Sequence, residues 1–166
     1  MTRRELEVTD QNEIKRILGT CKYLHLALVD EGKPYVVTLN YGYRMDTEDG
    51  HLVLYLHGAT KGRKLDVITK NPECSFTMEC NVQPFAGKVA CQYGMSYESV
   101  IGSGHITMLE DPRERMDALQ CIMKTQTGRD GFAFDERMVS IVSVMRVDVA
   151  KYTVKKRPLP EGLKTK

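Results

Sequence analysis

Long apolar runs are missing from this sequence. The longest are strand-sized and the opening "MTRRELEVTD" is polar, so neither a membrane-spanning helix nor a signal-peptide core is encoded; a cytoplasmic protein with no membrane partner is expected. Excess charge of one sign is missing too. Twenty-four Lys and Arg face 22 Asp and Glu, a net +2 that argues against a dedicated nucleic-acid binder and confines any anion recognition to one locality. The five cysteines, Cys21, Cys74, Cys80, Cys91 and Cys121, contain no CxxC pair and are odd in number, which speaks against a disulfide framework and a structural zinc site. His25, His51, His57 and His105 show no HxxxH spacing, so no metal is expected. No Ser-His-Asp order or carboxylate pair stands out, so redox chemistry would have to come from a cofactor.

What is present fits one compact domain: 166 residues, 42% of them hydrophobic. Asp10 and Glu13 form a capping box ahead of Ile14, Ile17 and Leu18, which predicts a first helix ending at Gly19. Alternating leucines then predict strands over 23–29 and 51–57, with "YVVTLNYGY" (35–43) between them as one strand of a meander. A helix is expected over 60–70, stopped by "NP", followed by a strand at 73–80 with Cys74, Phe76, Met78 and Cys80 on one face. Residues 81–98 mix strand and loop signals. A strand at 99–109 carries Gly102 and Gly104, which mark a bulge or a close backbone approach. Asp111 and Pro112 open another helix with Met116, Leu119, Ile122 and Met123 on one stripe; a last strand ends near 154, and 155–166 reads as a polar tail. Strands at short intervals with helices inserted favour a small β-barrel.

The chemistry concentrates in "LYLHGATKGRKLD" (54–66). "GATKGRK" has too few residues between its glycines for a nucleoside triphosphate loop, and "GSGHIT" lacks the third glycine of a dinucleotide fingerprint. Yet Gly58, Ala59 and Gly62 are small, Thr60 adds a hydroxyl, and Lys61, Arg63 and Lys64 add charge at a helix start, where backbone N–H groups favour an anion. A solvated basic turn has the same composition. His57 ends a strand, where a hydrogen-bonding role is as natural as a ligand contact. Asn40, unusual in a strand beside Thr38, could bond the edge of a heterocycle.

Taken in order, "LALVDEGKPYVVTLNYGY", "LYLHGATKGRKLDVITKNPECSF" and "SVIGSGHITMLEDPRERMDAL", with a terminal hydrophobic strand, resemble the pyridoxamine 5′-phosphate oxidase-related, FMN-binding split-barrel proteins, most closely their nitroimidazole-resistance branch. The resemblance covers about residues 4 to 154. It implies a mainly β fold, a six-stranded antiparallel split β-barrel with flanking α-helices occupying residues 1–154, and a homodimer with FMN at the subunit interface. It further implies that the isoalloxazine edge lies along Val37, Thr38, Leu39 and Asn40, with Tyr55, Leu56 and His57 passing beside the ring and ribityl chain. Ala59, Thr60, Lys61 and Lys64 would hold the phosphate, and the partner subunit would contribute Tyr97, Ser99 and Val100.

The oxidases proper carry an arginine-rich substrate-phosphate site and a tryptophan-containing C-terminal signature. This chain has no tryptophan and ends "RPLPEGLKTK", so vitamin B6 oxidation is not the expected reaction. Some relatives bind haem or a deazaflavin; only His25 or His57 could be argued as axial ligands. The expected activity is an FMN-dependent oxidoreductase taking hydride from a reduced nicotinamide and passing electrons to a small electron-poor acceptor such as a nitroaromatic. His57 would then give a proton to the product or position the acceptor. The alternative is a flavin carrier or redox-sensing module without efficient turnover.

Overall fold

The structure, a computed structural model, describes residues 3–160. Its strands are β1 (Leu24–Asp30), β2 (Lys33–Leu39), β3 (Tyr41–Met45), β4 (Leu52–Gly58), β5 (Glu73–Phe85), β6 (Gly94–Met108) and β7 (Ser143–Arg157). The helices are α1 (Gln11–Thr20), α2 (Arg63–Lys70), α3 (Pro112–Thr127) and α4 (Glu136–Ser140). All strands join one antiparallel sheet in the order β2-β1-β5-β6-β7-β4-β3. β2 and β3 lie on opposite edges of that sheet, yet only Asn40 separates them in the chain. The sheet must therefore curl until its two edges meet at Asn40, which makes it a split barrel.

Seven strands replace the six expected because 35–43 is not one strand: it bends at Asn40 and changes edge. β5 and β6 form one long hairpin through the ambiguous 81–98 stretch, with a bulge between Cys80 and Gln83. α4 was not foreseen. β7 runs to Arg157 and pairs with Tyr97, so residues 155–157 belong to the sheet rather than to a tail, whose last residues, 161–166, lie outside the described residues. Gly102 and Gly104 do what strand glycines predict: a Cβ on Gly102 would stand 2.5 Å from the Phe76 ring, one on Gly104 would strike the Asp148 carbonyl, and the β6–β7 register shifts at Ser103/Gly104.

The leucine alternations point inward, so Leu24, Leu26, Leu52, Leu54 and Leu56 are fully buried with Phe76, Met78, Val100 and Met145. α1, capped by Asp10 accepting from the Glu13 N–H at 2.8 Å, adds Ile14, Ile17 and Leu18 to that core. The buried Tyr41 hydroxyl donates to the Leu18 carbonyl at 2.6 Å and ties the β3 edge to α1. A second core lies outside the barrel. There α3, capped by Asp111 and ended by Gly128 at φ 73°, sets Ala118, Leu119 and Ile122 against Val53, Tyr55 and Val144. Gly42 allows that approach, since a Cβ there would meet the Ile122 amide nitrogen at 2.5 Å. Among the described residues no helix is long and apolar enough to cross a membrane.

One buried carboxylate ties helix, bulge and hairpin together. Glu98, 6% exposed, accepts from Arg16 of α1 at 2.5 Å and from Asn81 at 2.7 Å; Asn81 reaches it because the bulge places that residue at φ 52°. Burial alone would raise the Glu98 carboxyl, but the hydrogen bonds from Arg16 and Asn81 outweigh it and hold it below its ordinary 4.5. With the folded value depressed, this stability is complete above the unfolded pKa and is lost as pH falls through the folded one. Arg16→Ala is expected to lower unfolding free energy at pH 7 by about 1–2 kcal/mol, less than for a fully buried pair because Asn81 and Lys156 remain. Urea unfolding should show wild type and variant converging in acid. Equal midpoints at pH 7 would remove Glu98 from the account of stability.

Candidate functional site

β4 ends at Gly58, a short bend follows, and α2 starts at Arg63 rather than at Thr60. The helix begins late because its N-cap is Gly62 at φ 136°, ψ 163°, a conformation only glycine adopts readily. No side chain caps α2, and the Leu65 and Asp66 N–H groups both go to the Gly62 carbonyl. The amides of Arg63 and Lys64 therefore lie outside the helical ladder, at the positive end of the helix dipole.

The two lysines of this corner behave differently. Lys64 is half-buried and folds back over Gly58, where a Cβ would stand 2.5 Å from its Nζ; Lys61 is exposed, as are Ala59 and Thr60. Arg63 is already committed. Its Nε donates to Asp30 at 2.8 Å and its guanidinium lies 4.3 Å from the centre of the Tyr35 ring, which pins the start of α2 to β1 and β2.

An open cavity of about 360 Å³ separates the two elements. Val37, Thr38 and Leu39, with Tyr35, line it from β2; Gly62, Arg63 and Lys64 line it from the helix start. β2 is an edge strand, so one row of its backbone N–H and C=O groups has no ladder partner and faces outward. The arrangement offers a flat hydrogen-bonding edge on one wall and fixed positive charge on the other.

His57 is half-buried at the end of β4, opposite Val144. Burial, and then the Lys64 ammonium, push its imidazole below the ordinary 6.5. That direction works against a proton-donor role at neutral pH and favours a neutral ring that hydrogen-bonds.

The remaining expected residues divide by strand parity. Leu56 points into the barrel core and Tyr55 faces α3, with the Arg44 guanidinium 5.3 Å from its ring centre, so neither side chain opens on the cavity. Val100 is fully buried in the barrel core and does not line the cavity. Tyr97 and Ser99 stand on the opposite face of β6 from Val100, two strands beyond the β1 neighbour of the cavity wall, and within one chain they do not reach it. Asn40, exposed, marks the corner where the sheet edges meet. Gly62 and Arg63, expected at the anion corner, line the cavity, and Tyr35 joins it as a residue not singled out for a ligand. The signal for Tyr35 was available, since it shares the parity of Val37 and Leu39.

A sequence profile for pyridoxamine 5′-phosphate oxidase matches residues 10–156. The chain belongs to that family. Among solved structures, one similar fold is a proposed 5-nitroimidazole antibiotic resistance protein of Bacteroides thetaiotaomicron, 30% identical, with a TM-score of 0.75 over 90% of this chain and 86% of that one. A flavocytochrome of Azotobacter vinelandii matches at 17% identity and TM-score 0.74 over 96% of this chain and 73% of its own. An FAD- and haem-binding protein of Mycobacterium smegmatis matches at 14% identity and TM-score 0.74, covering 96% and 83%. The last two show the fold alone. No curated protein sequence matches significantly.

Proposed function

We propose that this member of the pyridoxamine 5′-phosphate oxidase family binds FMN as a homodimer and passes electrons from a reduced nicotinamide to a small electron-poor acceptor such as a nitroaromatic. The observation that carries the reading is the cavity, with an edge strand on one wall and an uncapped basic helix start on the other. A planar heterocycle ending in a phosphate matches both walls. The 30%-identical relative described as a 5-nitroimidazole resistance protein supports the acceptor class, and the flavin named for two structural relatives supports the cofactor class. FMN is preferred to FAD because Lys64 and the α2 amides form a single terminal anion site.

Bound there, FMN would supply hydride acceptance from the nicotinamide and electron donation to the acceptor. The chain's own part is orientation. β2 from Val37 to Asn40 reads the heterocycle through backbone groups, and Lys64, Thr60, Lys61 and the Arg63 and Lys64 amides hold the phosphate. His57, kept neutral beside Lys64, positions the acceptor by hydrogen bonding.

A second copy completes the site. The outer face of β1, β5, β6 and β7 carries Ala27, Ser75, Thr77, Ser103 and Thr153 around Ile101, which is 52% exposed, with Val36 57% exposed at its margin. Such a patch of small and apolar side chains, hollowed between Ser75, Ile101, Ser103 and Thr153, suits a two-fold partner, which would bring its own Tyr97 and Ser99 towards the cavity.

His57→Ala should keep FMN, because the phosphate corner is untouched, and should slow reoxidation of the reduced protein by a nitroaromatic up to about tenfold, the worth of one positioning hydrogen bond. Stopped-flow mixing of nicotinamide-reduced protein with acceptor measures it. Tight FMN retention with negligible reduction by either nicotinamide would replace the enzyme reading with the carrier one.

A further inference from the structure

A hydrogen-bonded chain crosses the outer sheet face beside the cavity. Thr38 of β2 and His25 of β1 are cross-strand partners, with His25 Nδ1 and Thr38 Oγ1 3.1 Å apart. The other ring nitrogen, Nε2, stands 3.1 Å from Glu79 Oε1 on β5. Packing does not account for these side chains, since Leu24, Leu26 and Met78 fill the core from the other face of the same strands. Thr38 is also a lining residue of the cavity.

The donor and acceptor inventory fixes the direction of each bond. An ionised carboxylate only accepts, so Glu79 places a proton on Nε2; in the neutral ring Nδ1 is then a bare acceptor. Thr38 must donate to it. Its single O–H is committed to His25, and towards anything else Oγ1 offers lone pairs only. Protonating His25 reverses the second bond: Nδ1–H donates to Oγ1, and the threonine hydrogen becomes free to donate elsewhere.

We propose that His25 and Glu79 are positioning residues that set whether Thr38 offers the ligand in the cavity a hydrogen-bond acceptor or a donor. This rests on the flavin reading. The imide edge of an isoalloxazine presents one N–H between two carbonyls, so the two states of Thr38 read different atoms of the same edge. The groups facing His25 are Glu79 from β5 and Thr38 from β2, with Tyr23, just ahead of β1, edge-on at 5.5 Å; Ser99 of β6 lies opposite Glu79, and Lys155 of β7 opposite Ser99.

The test is a double-mutant cycle in FMN affinity, followed from pH 5.5 to 8. FMN is titrated into apo-protein for wild type, Thr38→Val, His25→Gln and the double variant. The ratio of dissociation constants with and without Thr38→Val cancels the ionisation of the FMN phosphate and of His57. In the wild-type background that ratio should change about fivefold across the range, the worth of one neutral hydrogen bond. In the His25→Gln background it should be flat. A flat ratio in both backgrounds, or the same drift in both, overturns the inference while leaving the flavin reading intact. Failure of wild type to bind FMN removes the flavin reading and this inference with it.

Discussion

Lys64→Ala is expected to weaken FMN binding by about 1.5–3 kcal/mol, roughly 10- to 150-fold, the range of a charge-assisted hydrogen bond to an anion. Of the cations at this corner, Arg63 is held by Asp30 and Tyr35, and Lys61 is exposed; Lys64 alone folds inward, across Gly58. Lys70→Ala provides the control. It removes the same charge from the other end of the same helix, where the side chain is 66% exposed and 3.5 Å from Glu31, and should leave affinity within about twofold. Gly58→Ala should fall between the two. Its new methyl would displace only the flexible end of Lys64, so the protein would still fold while the ammonium moved out of place. Equal FMN affinity in Lys64→Ala and Lys70→Ala would take the phosphate away from this corner.

Ile101→Lys is expected to convert the proposed dimer to monomers and to release flavin in the same step. Ile101 stands in the middle of the proposed two-fold face, between Thr77 of β5 and Thr153 of β7. A lysine there loses apolar contact and faces its symmetry mate. A central interface position of this kind is worth about 2 kcal/mol or more, so association should weaken by roughly 30-fold at least. Sedimentation velocity followed at protein and flavin wavelengths reads both effects together. A variant that stays dimeric, or a wild-type monomer that carries flavin, would separate cofactor binding from this face.

The parts of the fold legible from sequence are those governed by local rules. Asp10 and Asp111 cap the helices they announce, and the leucines of β1 and β4 point inward as period-two alternation requires. The break at Asn40 was not legible, because it follows from curling of the whole sheet rather than from any preference of 35–43. Pro84, Gly87 and Gly94 masked a β5–β6 hairpin that tertiary pairing sustains through them. The start of α2 hinged on the φ of Gly62, which composition does not reveal.

Within the site, Val37, Thr38, Leu39 and Lys64 meet at one cavity. Tyr55, Leu56 and Val100 have side chains turned away from it, and the parity of their strands contained that information: with Leu52 and Leu54 inward, Leu56 must face the core and Tyr55 the opposite side. The chain of Thr38, His25 and Glu79 needs the registers of β2, β1 and β5 at once, and no local pattern announces it.

The visible absorption spectrum of the purified full-length protein, before and after heat release of its cofactor, tests flavin binding most directly. The expected result is the two-banded spectrum of an oxidised flavin and release of FMN at one per chain. A haem spectrum, or a colourless protein that takes up no FMN when it is supplied, would contradict it.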